Sequence, residues 1–338
     1  MKPTTASGAG DARPDLSVVV VSFNTSDLLR KCLQGVDAQA GDLSLEILVV
    51  DNASRDASAD MVAAEFPHVR LIRSAANLGF AAANNLAFAK ARGRYVLLLN
   101  PDAVARPGTL ARAVARMDAS PKVGAAGARL LGPDGSLQPS ARCFPSIVDE
   151  ALTLSGLAAR FPQSRFFGRF DRTWADPMQD ARVDWVPGAF VIVRREILEA
   201  VGNFDEAFFL YYEEVDLCRR ISAAGHEIWY WPELVVEHIG GACSKTQQSM
   251  NVSRKGTQLT LWRMRSGLLY WRKHHGAIGA WCAATLESAW HRLRARRHVS
   301  ASSQERRDRY EESMSQVTLM AQAWAETAGG RISPARPW

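Results

Sequence analysis

Between residues 16 and 99 the chain alternates short unbroken apolar runs with stretches whose apolar positions recur every three or four residues. Leu16–Val21 reads LSVVVV, Leu45–Val50 reads LEILVV and Tyr95–Leu99 reads YVLLL. Runs this short and this rich in β-branched side chains predict strands buried on both faces, as in a parallel sheet covered by helices. Between them, Ser26–Ala38 sets Leu28, Leu29, Cys32, Leu33 and Val36 on one side of a helix, and Ser58–Glu65 and Ala81–Arg92 also have helical spacing. A short strand is expected at Val69–Arg73. Strand–helix alternation of this kind predicts an α/β fold.

Beyond Pro107 the pattern predicts a helix at Leu110–Asp118, a strand at Gly124–Leu131 and a Gly-containing turn within Asp134–Ser140. Residues 145–182, rich in Phe, Arg and Pro, are expected to form a variable insertion or lid. Strand character returns at Trp185–Val193, followed by a helix at Arg194–Val201. An aromatic strand from Phe208 runs into a cluster of acids, and Glu227–His238 closes the sheet. Past Gly241 the chain becomes helical and basic. The expected organisation is a flexible leader over 1–15, one α/β domain over 16–245 and a basic helical extension over 246–338.

Composition narrows this picture. The chain has 338 residues, of which 47% are apolar, enough for a large core. Its formal charge of +6 is uneven, since Glu287 is the only acid between Arg254 and His298. A basic end of this kind suits an anionic membrane surface or a nucleic acid. The five cysteines are scattered and form no C-x-x-C pair, which fits a reducing compartment and offers neither a metal cluster nor a disulfide framework. The N-terminus lacks an apolar signal core, and no apolar run reaches the roughly 18 residues needed to span a bilayer. The expected location is cytoplasmic.

Candidate chemistry gathers at the strand ends. The first strand ends in Ser22-Phe23-Asn24, the second in Asp51-Asn52-Ala53-Ser54 and the third in Asn100-Pro101-Asp102. Each could be a simple turn. Three at successive strand ends point instead to a crevice, because open parallel sheets bind ligands outside the carboxyl ends of their strands. Asn100-Pro101-Asp102 reads either as a type I turn or as an acid offered to a hard divalent cation. His238 reads either as a capped core residue or as a second ligand beside Asp102. Asn77–Asn85 (NLGFAAANN) joins a strand to a helix through small residues that permit close approach of an anion. It is not G-x-G-x-x-G, and no P-loop is present, so nicotinamide and P-loop NTPase chemistry are excluded. In Phe208–Arg220 (FFLYYEEVDLCRR), Glu213 and Glu214 adjoin each other with Asp216 nearby. Crowded acids raise one another's proton affinity, as a general base near neutral pH requires. Acids also favour a helix N-terminus for structural reasons alone.

Taken in order, VVVVSFN, LVVDNASRD, NLGFAAANN, LLLNPDA, WVPGAFVIVRREILEAVGNFDEAFFLYYEEVDLCRR and PELVVEHIGGACS resemble the family 2 glycosyltransferases of the GT-A fold, and among them the bacterial rhamnosyltransferase group. The resemblance covers about residues 16–245. It implies that Asp51 holds the nucleotide base with Ser22 and Asn24 beside it, and that Asn77, Gly79 and Asn84 line the nucleotide-sugar pocket. Asp102 corresponds to the metal-binding acid of the D-x-D type, with His238 as second ligand to Mg²⁺ or Mn²⁺. Trp185, Gly188 and Ala189 correspond to the sugar and acceptor pocket. Glu213-Glu214 corresponds to the catalytic acid pair, with Glu214 as general base. Two departures matter: Glu214 stands where the family usually has the shorter Asp, which could pass the role to Glu213 or Asp216, and N-P-D supplies only one strong metal ligand.

The implied reaction is inverting transfer of a sugar, foremost L-rhamnose from dTDP-L-rhamnose, to a saccharide that can be lipid-linked, in cell-surface polysaccharide synthesis. A UDP-hexose or UDP-galactofuranose is the alternative donor. A processive synthase is disfavoured because no Q-x-x-R-W segment is present. In the tail, Leu259, Trp262, Leu268, Leu269, Tyr270 and Trp271 interleave with Arg263, Arg265, Arg272 and Lys273, and Ala277–Trp290 precedes HRLRARR. This pattern suits a helix lying in a membrane interface, on the inner face of the plasma membrane. Packing on the catalytic domain and pairing into a homodimer are the alternatives. A nucleic-acid-binding role would leave the acid pair and N-P-D without purpose.

Overall fold

A computed structural model of the chain describes residues 13–41, 43–240, 257–298 and 303–335. Most of the expected leader, Cys243 and the start of the basic tail lie outside these. The elements are β1 (Leu16–Ser22), α1 (Ser26–Asp37), β2 (Leu45–Asp51), α2 (Ser58–Glu65), β3 (Arg70–Arg73), α3 (Gly79–Phe88), β4 (Tyr95–Leu99) and β5 (Ala103–Ala105). They continue with α4 (Thr109–Ala119), β6 (Val123–Leu131), β7 (Leu137–Gln138), α5 (Ile147–Leu154), α6 (Leu157–Arg160), β8 (Ala181–Val183), β9 (Phe190–Arg194) and α7 (Arg195–Val201). The chain closes with α8 (Glu213–Ala223), β10 (Glu227–His238), α9 (Thr257–Arg296) and α10 (Gln304–Glu326).

One sheet runs β3-β2-β1-β4-β9-β6-β10-β5, with β7 paired to β6 and β8 to β10. Its first four strands are mutually parallel, and β10 is parallel to β6. Strand β9 enters antiparallel between β4 and β6. The unbroken apolar runs follow from coverage of both faces. In β1, Val18 and Val20 point into one core with Leu29 and Leu33 of α1, while Val19 and Val21 point into a second with Ala83 of α3 and Leu217 of α8. Each fully buried Val or Leu contributes about 1.5–3 kcal/mol, so both faces must be apolar.

One expected strand starts late and another is absent. Trp185–Ala189 is loop, and β9 begins only at Phe190; Pro187 lacks the N–H a central strand must donate. The segment before Glu213 is also loop, with Tyr211 and Tyr212 both at positive φ, 71° and 69°. Bulky residues seldom adopt that conformation, and such strain concentrates at functional sites. Residues 145–182 contain α5, α6 and β8 joined by turns.

The second core reaches into the extension. Leu269, Tyr270 and Trp271 of α9 are buried in it. The helix breaks at Gly276 (φ 70°, ψ −170°). Arg263, thirteen residues before the break, nonetheless bonds Glu287, eleven after it, at 3.0 Å. A straight helix would separate these residues by about 36 Å, so the two arms fold back on each other as a hairpin.

Candidate active site

The carboxyl ends of β1, β2 and β4 open on a cavity of about 270 Å³. Its sheet-side wall includes Asn52, Asn77, Gly79, Asn100, Asp102 and His238. Its other wall comes from the Pro187–Ala189 loop, the Phe209–Tyr211 loop and the start of α8, where Glu213 and Glu214 lie. Leu259 of α9 completes the lining, so the extension takes part in the cavity itself.

Asn52 organises the sheet side. Its amide donates to Asn77 Oδ1 (2.9 Å) and to the Gly79 carbonyl (3.2 Å), and its Oδ1 accepts from Leu78 N–H (2.9 Å). Asn77 Oδ1 also accepts from Gly79 N–H (2.9 Å). Gly79 has φ 81°, and a Cβ there would strike the carbonyl and ring of Phe209. Only glycine allows this approach, which lets Phe80 N–H donate to the Phe209 carbonyl (2.7 Å) and dock the loop that carries the acids.

Glu213 is buried and Glu214 half-buried, and each has an Oε2 without a hydrogen-bond partner. Burial pushes Glu213 well above the usual carboxylate range, and the neighbouring charge of Glu214 adds to it. Burial raises Glu214 as well, against the guanidinium of Arg142 and the backbone of Gly188, which lower it. An open acceptor of raised proton affinity beside a cavity is suited to taking a proton. Arg142 packs on the rings of Trp185 and Phe170, with centroid distances of 5.0 and 5.6 Å.

His238 Nδ1 lies 2.8 Å from Gln138 Oε1, while Gln138 Nε2 donates to the His238 carbonyl (2.7 Å). That pairing places the proton on Nδ1 and leaves Nε2 as an acceptor, 3.5 Å from the Asn100 amide nitrogen and 3.5 Å from Asp102 Oδ1. Two electron-rich groups facing each other, both lining the cavity, fit a cation between them. Among the described residues no cluster of three His, Cys, Asp or Glu side chains could hold a metal, so further ligands would have to come from a bound molecule.

Several expected site residues lie elsewhere. Ser22 Oγ pairs with Thr25 Oγ1 (2.9 Å) in a buried contact. Asn24 accepts from Arg55 N–H (2.7 Å) and braces the β1 end against the β2 end. Asn84 is buried and donates to the Phe80 carbonyl one turn back (2.9 Å). Trp185 is buried and donates from Nε1 to the Cys143 carbonyl (2.8 Å), supporting the wall rather than lining it. Asp51 is outside the lining too, but its buried Oδ1 has no partner.

Asp216 is the clearest displacement. Its carboxylate meets Arg220 (2.8 Å), Lys273 (2.8 Å) and His274 (2.7 Å) and is fully buried. Burial pushes its proton affinity up, but His274, Arg220 and Lys273 outweigh this and hold it down at about 2. It clamps α9 to α8 and has no open oxygen to act as a base.

Sequence reasoning missed Gln138, Arg142, the Phe209–Tyr211 backbone and Leu259. Asn52 was visible as part of a strand-end cluster. The others owe their place to tertiary packing and carry no local signal.

Residues 17–201 match the family model "Glycosyl transferase family 2". A Mycobacterium tuberculosis protein named N-acetylglucosaminyl-diphospho-decaprenol L-rhamnosyltransferase is 30% identical over 66% of this chain and 75% of its own length. Rhamnosyltransferase WbbL of Escherichia coli is 26% identical over 65% of this chain and 82% of its own. Among solved structures, a mannosyltransferase from Pyrobaculum calidifontis in complex with GDP-Man and Mn²⁺ shares the fold at TM-score 0.52 and 20% identity, over 95% of this chain and 90% of that one.

Proposed function

The chain belongs to glycosyl transferase family 2 and has the GT-A fold, and on that premise we propose that it is an inverting enzyme moving L-rhamnose from dTDP-L-rhamnose to a lipid-linked saccharide. It is a glycosyltransferase of cell-surface polysaccharide synthesis. The observation that carries the mechanism is the unpartnered Glu213–Glu214 pair in one cavity with the Asp102–His238 pair. Rhamnose as the sugar is supported by the names of the Mycobacterium tuberculosis and Escherichia coli relatives, and a lipid-linked acceptor by the name of the first.

Glu214 takes the proton of an acceptor hydroxyl. The freed oxygen pair forms a bond to the anomeric carbon as the bond to the diphosphate oxygen breaks on the opposite face. The leaving electron pair departs with the nucleoside diphosphate, and the anomeric configuration inverts. Burial holds the proton affinity of Glu214 above the usual carboxylate range, which suits it to work as the base. Asp51 supplies an open acceptor for an N–H of the nucleobase, and Gly79 keeps the backbone low enough for the donor to lie over α3. Gly188 and Ala189 border the sugar. Asp102 and His238 would hold a divalent cation, Mg²⁺ or Mn²⁺, together with diphosphate oxygens, and the cation would stabilise charge on the leaving group.

The test is calorimetric binding of dTDP-L-rhamnose, UDP-hexoses, UDP-galactofuranose and GDP-sugars, with Mn²⁺ or with a chelator. We expect dTDP-L-rhamnose to bind at least tenfold more tightly than the others, and more weakly with chelator. Preference for a UDP-sugar would replace the donor and leave the mechanism. Absence of binding to all of them would overturn the reading of the cavity.

A further inference from the structure

The second arm of α9 presents an outward stripe that nothing in the glycosyl-transfer reaction uses. Ile278, Trp281 and Leu293 are 77%, 58% and 45% exposed. Thr285, Ala289, Arg292 and Arg296 are exposed as well. At 100° per residue these seven positions fall within an arc of about 120° on one face of the helix. The stripe is apolar towards the Gly276 break and cationic towards the far end. It carries no acid: Glu287, the only acid from 277 to 298, is turned inward to Arg263. The inner side of the same arm is occupied, with Ala284 packed among Met264, Leu268 and Met320, and Arg294 paired with Glu312 of α10 (3.2 Å).

We propose that this stripe rests on an anionic lipid surface, with Ile278 and Trp281 entering the acyl boundary and Arg292 and Arg296 on headgroup phosphates. The chemistry matches an interface: apolar and aromatic side chains beside cations, with the uncharged Thr285 between them, on a helix about 22 Å long from Ile278 to Leu293. A second copy of the chain fits poorly. Antiparallel pairing would set the cationic end of one stripe against the apolar end of the other, and parallel pairing would set arginine against arginine. Among the described residues no helix is long and apolar enough to cross a membrane, so the arm lies on the surface.

The structure also separates this face from the aromatic residues that dominate the sequence pattern of the tail. Trp262 and Trp271 are 2% and 4% exposed and cannot reach lipid without unpacking the domain. The fold-back of α9 gives the face its use. Arg263 and Glu287 are level in the hairpin, so one turn further Leu259, which lines the cavity, is level with His291 beside Arg292. The cationic end of the stripe therefore sits at the height of the cavity wall, where a lipid-linked acceptor would be held beside its membrane. The face exists whatever the donor is; only this benefit rests on the proposed acceptor.

The experiment is flotation of the full chain with vesicles of phosphatidylcholine alone and of phosphatidylcholine with 30% phosphatidylglycerol, at low and high salt. Wild type is expected to float with the anionic vesicles and to lose binding as salt rises. Ile278→Ser with Trp281→Ser should weaken partitioning at least tenfold. Arg292→Gln and Arg296→Gln should each weaken it about fivefold. Leu86→Ser and Arg112→Gln, exposed apolar and cationic positions elsewhere, should change nothing. Melting curves and donor binding, read on the same samples, should match wild type, which separates loss of the face from loss of the fold or of the cavity. The proposal is overturned if wild type does not float, if the stripe variants float like wild type, or if Trp281→Ser abolishes a dimer while vesicle binding is absent.

Discussion

Glu213 and Asp216 are less than one turn apart on α8 and both are buried, yet they live in opposite electrostatic worlds. Glu213 and its neighbour Glu214 face a cavity, each with an oxygen that nothing bonds; burial drives the proton affinity of both up, and the charge of Glu214 adds to it at Glu213. Asp216 faces α9, whose Lys273 and His274 close on it together with Arg220 of its own helix and hold it at about 2. Burial acts on both sites in the same direction. What differs is the supply of partners, and that difference separates an acid kept reactive from an acid used as a clamp.

The comparison predicts stability effects of opposite sign. Asp216→Asn leaves Arg220, Lys273 and His274 converging on a neutral amide and should destabilise the fold by about 3 kcal/mol, measured by denaturant unfolding. Because the folded proton affinity is depressed, this stabilisation is present above the ordinary Asp range near pH 4. It is lost as pH falls towards about 2, so the gap from wild type should narrow over that window.

Glu213→Gln should do the reverse. A carboxyl whose folded proton affinity is raised stabilises fully below the ordinary Glu range and loses that contribution as pH rises. The variant should therefore be more stable than wild type at pH 8, by an amount of the order of 1 kcal/mol, with the advantage disappearing near pH 4. Denaturant unfolding of both proteins at pH 4 and pH 8 checks this, and an advantage that did not change between the two would contradict it.

A smaller effect tests how the acid loop is held. Ser266 Oγ donates to the Leu210 carbonyl (2.8 Å), and the Phe209 and Trp262 rings lie 4.4 Å apart. Ser266→Ala should cost about 1 kcal/mol of stability and lower kcat a few-fold by loosening the Tyr211–Tyr212 turn.

Much of this was readable from the chain. LSVVVV, LEILVV and YVLLL stood out because both faces of a covered sheet must be apolar, and the strand ends announced Asn52, Asp102 and the crevice around them. The roles of Ser22 and Asn24 were not readable, because polar residues at strand ends brace loops as readily as they bind ligands; nor were those of Asn84, whose amide turns back on its own helix, and Trp185, whose partner Cys143 is forty-two residues away. The Trp185–Ala189 run looked like a strand because hydrophobicity alone cannot reveal what Pro187 forbids. Asp216 could not be told from Glu213, since its partners Lys273 and His274 lie more than fifty residues away. The positive φ of Tyr211 and Tyr212 leaves no mark in a pattern of apolar and polar positions. Nor could periodicity decide whether the aromatic residues of α9 meet protein or lipid: the first arm meets protein, and the exposed stripe belongs to the second.

The most direct test of the account is single-turnover transfer by Glu214→Gln and Asp216→Asn, compared per folded molecule with donor affinity measured alongside. The account predicts that Glu214→Gln loses at least a hundredfold in turnover, the range of a positioned base, while binding the donor as wild type does, and that folded Asp216→Asn keeps wild-type turnover. Full turnover by Glu214→Gln, or a loss as large in Asp216→Asn, would contradict it.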